Sequence, residues 1–158
     1  MEKTAAILIS RKNDHLIVHS FGIFQGYGAY VAIDPFIQLD SKSSIDKIVS
    51  AILVAIDAAR EVPYNFKDIE RYRRENEDKA SAEVRLSRLQ KIRSTADSAK
   101  RYRKIHVTTT ASLKSYRICE MGYDVAQRLL VPILEMRVKK DDQAIALTAA
   151  ISELLSSE

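Results

Sequence analysis

The stretch AYVAIDPFIQLDSKSSIDKIVSAILVAID, residues 29–57, decides the fold of this chain. It joins a β-branched run interrupted by Pro35, a polar turn, and an apolar run with the period of a helix. A second stretch, QRLLVPILEMRVKKDDQAIALTAAISEL at 127–154, repeats that order about 97 positions later, with Pro132 opposite Pro35. Because few identities survive, the match is one of pattern, and it predicts two similar units in one scaffold.

The first unit contains a strand followed by a well-marked helix. The strand covers 30–39, and Pro35, which lacks an amide donor, favours a sheet edge or a bulge. Ser43 or Ser44 is placed to cap the next helix, with Asp46 in its first turn. The helix face that this spacing buries consists of Ile45, Ile48, Val49, Ile52 and Ile56.

A β-hairpin precedes this strand. Its arms are predicted at 5–10 and 15–21, where apolar and β-branched residues flank turn chemistry. The glycine-containing segment 22–28 is predicted to be a loop that exposes Phe24 and Tyr27.

The second unit follows the same plan. Strands are predicted at 104–111 and 113–119, a loop at 120–127, and a strand at 129–138 that holds Pro132. Either Asp141 or Asp142 is expected to cap the final helix. The buried face of that helix is predicted to be Leu147, Ile151, Leu154 and Leu155.

These elements predict a single α+β domain over residues 1–158. Its two ββ-loop-βα units, 5–60 and 104–156, form a mostly antiparallel sheet packed by helices. A charged helical connector at 64–103 joins them.

Composition is that of a globular cytoplasmic protein. Hydrophobic residues make up 46% and charged residues 29% of the chain, which argues against disorder. The longest apolar runs fall far short of the roughly 20 residues that span a membrane. The single cysteine, Cys119, fits a reducing compartment and is expected to be a small buried hydrophobe.

The net charge of +4 is unevenly placed, since the connector carries the whole excess. Its basic part, 85–104, offers an alternative function in binding a nucleic-acid backbone. Acidic side chains interrupt the positive run and stacking aromatics do not recur through it, so a solvated helix face is favoured.

No catalytic constellation stands out. His15, His19 and His106 are the candidates for acid–base chemistry near neutral pH, but their spacing matches no metal-binding pattern. No serine lies in a nucleophile motif, and no glycine-rich phosphate loop leads from a strand into a helix. The sequence therefore predicts a protein that is not an enzyme and holds no metal or cofactor.

The chain resembles the immunity proteins of bacterial contact-dependent growth inhibition (CDI) systems. The resemblance covers PFIQLDSKSSIDKIVSAILVAIDAAR at 35–60, SAKRYRKIHV at 98–107 and PILEMRVKKDDQAIALTAAISELLSS at 132–157. It implies a non-enzymatic, cytoplasmic inhibitor that binds the C-terminal toxin domain of a CdiA protein, often a nuclease, and occludes it.

For such a partner we expect the binding surface to lie on the first loop and on the acidic part of the connector, because loops on a rigid sheet carry recognition. The candidate toxin-binding residues are Phe24, Tyr27, Asp68, Glu70, Glu75, Glu77 and Asp78.

Overall fold

The computed structural model describes residues 1–26, 30–62 and 99–157, and the charged connector lies almost wholly outside them. The elements are β1 (Glu2–Ser10), β2 (His15–Phe24), β3 (Tyr30–Asp40), α1 (Ile45–Ala58), β4 (Arg60–Val62), β5 (Tyr102–Thr110), β6 (Ser115–Asp124), β7 (Leu129–Lys139) and α2 (Ile145–Ser156).

The strands form one seven-stranded sheet in the order β3-β2-β1-β5-β6-β7, with every neighbouring pair antiparallel. Only β4 runs parallel to its partner, β2. Each half contributes three antiparallel strands and then a helix, and the halves meet where β1 pairs with β5. The predicted α+β fold with a mostly antiparallel sheet is confirmed.

Both prolines of the repeat lie on edge strands at irregularities. The register of β2 and β3 shifts between His19 and Ser20, opposite Pro35, and that of β6 and β7 shifts between Glu120 and Met121, opposite Pro132. A proline costs no ladder bond at such a place, which confirms the edge position predicted for Pro35.

Within the described residues, α1 and α2 pack on one face of the sheet, here called the helix face. Ile48, Ile52 and Ile56 of α1 and Leu147 and Ile151 of α2 are buried there. Their sheet partners alternate along the strands, as a half-buried sheet requires, and are Ala5, Ile7, Leu16, Val18, Ile105, Val107 and Ile118.

Polar side chains bind backbone amides at the start of each helix. Ser44 is the N-cap of α1, and its Oγ accepts a hydrogen bond from the Lys47 amide at 3.4 Å. The N-cap residue of α2 is Ala144, and the carboxylate of Asp141, three residues before it, accepts from the amides of Ile145 at 2.8 Å and Gln143 at 3.1 Å. Asp141 therefore acts as a cap, and these amide bonds lower the pKa of its carboxyl group.

Two of the predicted loops are wrong. β2 continues through Phe24, because Gly22 and Ile23 pair with β3 and Gly22–Phe24 pair with β4, a strand that the local pattern does not reveal. Phe24 is buried, with 4% of its surface exposed, instead of presenting an open aromatic face. Likewise β6 runs to Asp124, because β7 pairs with it as far as Leu129.

The cap at α2 gives a direct test. Replacing Asp141 with Ala should lower the unfolding temperature, because the amides of Gln143, Ile145 and Ala146 lose their acceptor. Asp142→Ala, which removes the same side chain one residue away, is the matched control and should change it less. Thermal unfolding by circular dichroism measures both, and equal effects would contradict the assignment.

Ser20 provides a second test. Its Oγ is fully buried and has no hydrogen-bond partner within the described residues. Ser20→Ala should raise the free energy of unfolding by up to about 1 kcal/mol, because it removes an unsatisfied hydroxyl group.

The matched control is Thr4→Val, which breaks a buried hydroxyl pair with Thr108 at 3.0 Å. It should lower the free energy of unfolding by about 1 kcal/mol. Urea titration measures the free energy of unfolding of both variants. A Ser20→Ala variant less stable than the parent would contradict the prediction that its hydroxyl group is unsatisfied.

Candidate functional site

The face of the sheet opposite the helices, here called the cavity face, holds a cavity of about 500 Å³. Its lining includes Ala6 on β1, His19 and Phe21 on β2, and His106 on β5. These residues alternate with those of the helix face along the same strands, so the two faces have separate roles.

The cavity extends across the antiparallel path of the sheet. Both edge strands contribute to its wall, Phe36 from β3 and Pro132 from β7. The register shifts in β3 and β7 lie beside these two residues, and such bulges bend a strand locally.

A row of paired residues crosses the floor of the cavity. Ala6 is the register partner of His19 on one side and of His106 on the other. The row continues to Phe36 beyond His19 and to Cys119 beyond His106. Because Ala6 has only a methyl side chain, space remains between the two imidazole rings.

Aromatic rings surround the two histidines. Phe21 packs edge-on against both, with ring centroids 4.9 Å from His19 and 5.1 Å from His106. Phe36 lies 5.5 Å from His19, and Tyr30 lies 5.8 Å from Phe21. These centroid distances are in the range of favourable aromatic pairs, so the rings hold the imidazoles in place.

Burial keeps both histidines neutral. The pKa of His19 is lowered to about 4, mainly by desolvation. The hydrogen bond to the Ser20 backbone raises this pKa, and the charge of Lys104 lowers it. The Nδ1 atom of His19 lies 2.8 Å from the Ser20 carbonyl oxygen, so Nδ1 carries the proton and donates it. The pKa of His106 is also lowered to about 4, first by desolvation and then by His19, Lys104 and Arg117.

Charged groups lie at the rim. Glu2 Oε1 accepts a hydrogen bond from the Tyr30 hydroxyl at 3.2 Å and lies 3.9 Å from Nη2 of Arg117. Both members of this ion pair are 41% exposed, so it stabilises little on its own. It does link β1, β3 and β6 across the mouth of the cavity.

The chemistry open to these groups is limited. Cys119 is buried as predicted, and burial raises the pKa of its thiol, which disfavours the nucleophilic thiolate. Within residues 1–26, 30–62 and 99–157, no three His, Cys, Asp or Glu side chains converge to hold a metal ion. The arrangement suits non-covalent binding.

The sequence did not predict this site. Phe24 is buried, and the other candidate toxin-binding residues lie outside the described residues: Tyr27, Asp68, Glu70, Glu75, Glu77 and Asp78. His15 lies at the other end of β2, where its Nε2 is 3.5 Å from the Tyr102 hydroxyl. In the sequence, His19 and His106 each interrupt an apolar strand run, which could have marked them as unusual. Their proximity follows from the register of β1 with β2 and with β5.

In the part of the chain that the structure describes, neither helix has the length and apolar character needed to cross a lipid bilayer.

No protein-family model and no curated protein matches the chain. Solved structures with the same fold include a protein of unknown function from Neisseria meningitidis, with a TM-score of 0.67 and 16% identity over 99% of this chain and 94% of the other. A chain of the CdiA-CT/CdiI toxin and immunity complex from Yersinia pseudotuberculosis gives a TM-score of 0.65 and 9% identity, over 99% and 97%. At these identities the likeness is one of fold.

The buried histidines predict that acid destabilises the protein. Their folded pKa of about 4 lies below the ordinary value of 6.5, so the unfolded chain binds protons first as pH falls. The free energy of unfolding should therefore decrease from about pH 6.5 down to about pH 4, each histidine contributing at most about 1.4 kcal/mol per pH unit.

Urea titrations at several pH values measure this slope. In the variant His19→Asn/His106→Gln, the free energy of unfolding should decrease less with falling pH than in the parent. In the control His15→Gln, which removes a histidine outside the cavity, that free energy should decrease as it does in the parent. An unchanged slope in the double variant would exclude the two buried histidines as its source.

Proposed function

We propose that this protein is an immunity protein that binds the C-terminal toxin domain of a CDI system and neutralises it. The observation that carries the proposal is the fold shared over 99% of this chain with a chain of the CdiA-CT/CdiI complex. The sequence resemblance to the same class at 35–60, 98–107 and 132–157 supports it independently. The site of action is the cytoplasm, where the delivered toxin meets its target.

The inhibitor acts by occupying the surface of the toxin, without chemistry of its own. Its two buried histidines are held neutral among aromatic rings, and the carbonyl of Ser20 engages His19. This environment stabilises a fixed, uncharged pair more than it favours proton transfer near neutral pH. Specificity then comes from the shape and charge of the exterior.

The cognate toxin is a nuclease in this proposal. A domain that grips nucleic acid is basic, and it is complemented by an acidic patch on its inhibitor. That patch is the acidic part of the connector, Asp68, Glu70, Glu75, Glu77 and Asp78, together with Tyr27, all outside the described residues.

The alternative function, nucleic-acid binding by the basic segment 85–104, gains no support from its described end. Arg103 forms a bidentate ion pair with Glu120 and donates a hydrogen bond from Nη1 to the Ser157 carbonyl at 3.0 Å. Arg103 is therefore committed to the protein itself, so it is poorly placed to track a phosphate backbone.

Co-expression with the toxin domain encoded immediately upstream tests the main proposal. The two chains should co-purify, bind with a dissociation constant in the nanomolar range, and protect cells that express the toxin. The absence of any complex with that partner would overturn the proposal.

Charge reversal tests where the toxin binds. Glu75→Lys/Glu77→Lys/Asp78→Lys should weaken binding by on the order of 100-fold or more, because it replaces attraction by repulsion. The matched control, Glu135→Lys/Asp142→Lys/Glu153→Lys, makes the same change in net charge at exposed acids on β7 and around α2. Equal loss in both variants would place the interface elsewhere.

The same assay tests the absence of catalysis. A His15→Gln/His19→Asn/His106→Gln variant that still folds should protect cells as fully as the parent. Loss of protection with retained toxin binding would point to an enzymatic role.

A further inference from the structure

We propose that the cavity on the cavity face is a binding site for a small aromatic carboxylate. This inference concerns a site apart from the acidic connector and does not depend on toxin neutralisation. It rests on the size of the cavity and on the different chemistry of its two sides.

The size of the cavity suits a small molecule. Its volume of about 500 Å³ lies within the range of roughly 300–1,000 Å³ that is usual for ligand pockets. A ring system of one or two fused rings fits such a space and leaves room for one polar substituent.

The two halves of the fold line the cavity differently. The first half supplies the aromatic rings, Phe21 on β2 and Tyr30 and Phe36 on β3. The second half supplies two cations, Lys104 on β5 and Arg117 on β6. A ligand with a flat apolar body and one negative end matches this division, the ring lying toward β2 and β3 and the carboxylate toward β5 and β6.

Charge favours a single anion. Among the described residues that line the cavity, the cations are Lys104 and Arg117 and the anion is Glu2. Glu2 reaches only Nη2 of Arg117, at the long distance of 3.9 Å. A guanidinium group has five N–H donors, so Arg117 retains donors for a carboxylate.

The histidines offer the remaining polar atoms. His19 uses Nδ1 on the Ser20 carbonyl, and its Nε2 makes no hydrogen bond within the described residues. Across the same part of the chain, the ring of His106 contacts Phe21 and makes no hydrogen bond. A ligand carboxylate beside His106 would accept a hydrogen bond from its ring N–H.

Such binding is linked to protons. The groups that face His106 are His19, Lys104, Arg117, Cys119 and Glu2. Desolvation first, and then the charges of Lys104 and Arg117, disfavour a further positive charge on the His106 ring. A bound carboxylate offsets that repulsion and favours the protonated imidazole. Affinity for the anion should therefore rise as pH falls from about 7 to about 5.5.

The experiment uses the full chain with 2-naphthoate as probe and 2-naphthamide as its uncharged counterpart. Isothermal titration and amide chemical shifts should show saturable binding of 2-naphthoate, at least about tenfold tighter than 2-naphthamide at pH 5.5. Arg117→Gln should remove that preference. The matched control Arg137→Gln, an exposed arginine paired with Glu135 on β7, should keep it.

A variant that fills the cavity completes the test. Ala32→Phe, at a half-buried position in the wall, should abolish binding of both probes while circular dichroism shows a retained fold. Absence of saturable binding, or an Arg117→Gln variant that binds 2-naphthoate as tightly as the parent, would overturn the proposal. A third outcome would also overturn it: the parent binds neither probe, and the Ala32→Phe variant loses toxin binding. The cavity would then be part of the surface that binds the toxin.

Discussion

The antiparallel pairing of β1 with β5 is the interaction on which the rest of the structure depends. It joins residues about a hundred positions apart in register from Glu2↔Thr110 to Ser10↔Tyr102, and it turns two three-stranded units into one sheet. Closing so long a loop costs entropy, but that cost grows only slowly with length. Once the central pair forms, both helices find a continuous apolar face, and neither unit has to form a core alone.

The same pairing divides the molecule into two faces with different chemistry. On the helix face, Ala5, Ile7, Ile105 and Val107 pack beneath α1 and α2 in an apolar core. On the cavity face, Ala6 separates His19 from His106, and both edge strands contribute to the wall of the cavity. Successive side chains of a strand point to opposite faces of the sheet. A substitution on the helix face is therefore expected to change stability, and one on the cavity face to change binding.

The two halves share topology but not surface chemistry. Pro35 and Pro132 both lie at register shifts on opposite edge strands, whereas the rings of the first half line one side of the cavity and the cations of the second half line the other. The shared topology is maintained by the core of the helix face together with a smaller buried cluster of Leu8, Ile17 and Tyr102.

The sequence by itself determined the elements of local period: the pattern repeat, the helix that follows Ser43 or Ser44, an aspartate at 141 or 142 that binds amides at the start of α2, and an edge or bulge position for Pro35. Apolar spacing and cap chemistry act over a few residues, so they can be read from the chain directly. Tertiary structure alone decided the burial of Phe24, the pairing of β2 with a strand at Arg60–Val62, and the meeting of His19 with His106 across Ala6. Strand order and register depend on contacts between segments that are distant in sequence. Local periodicity does not predict those contacts.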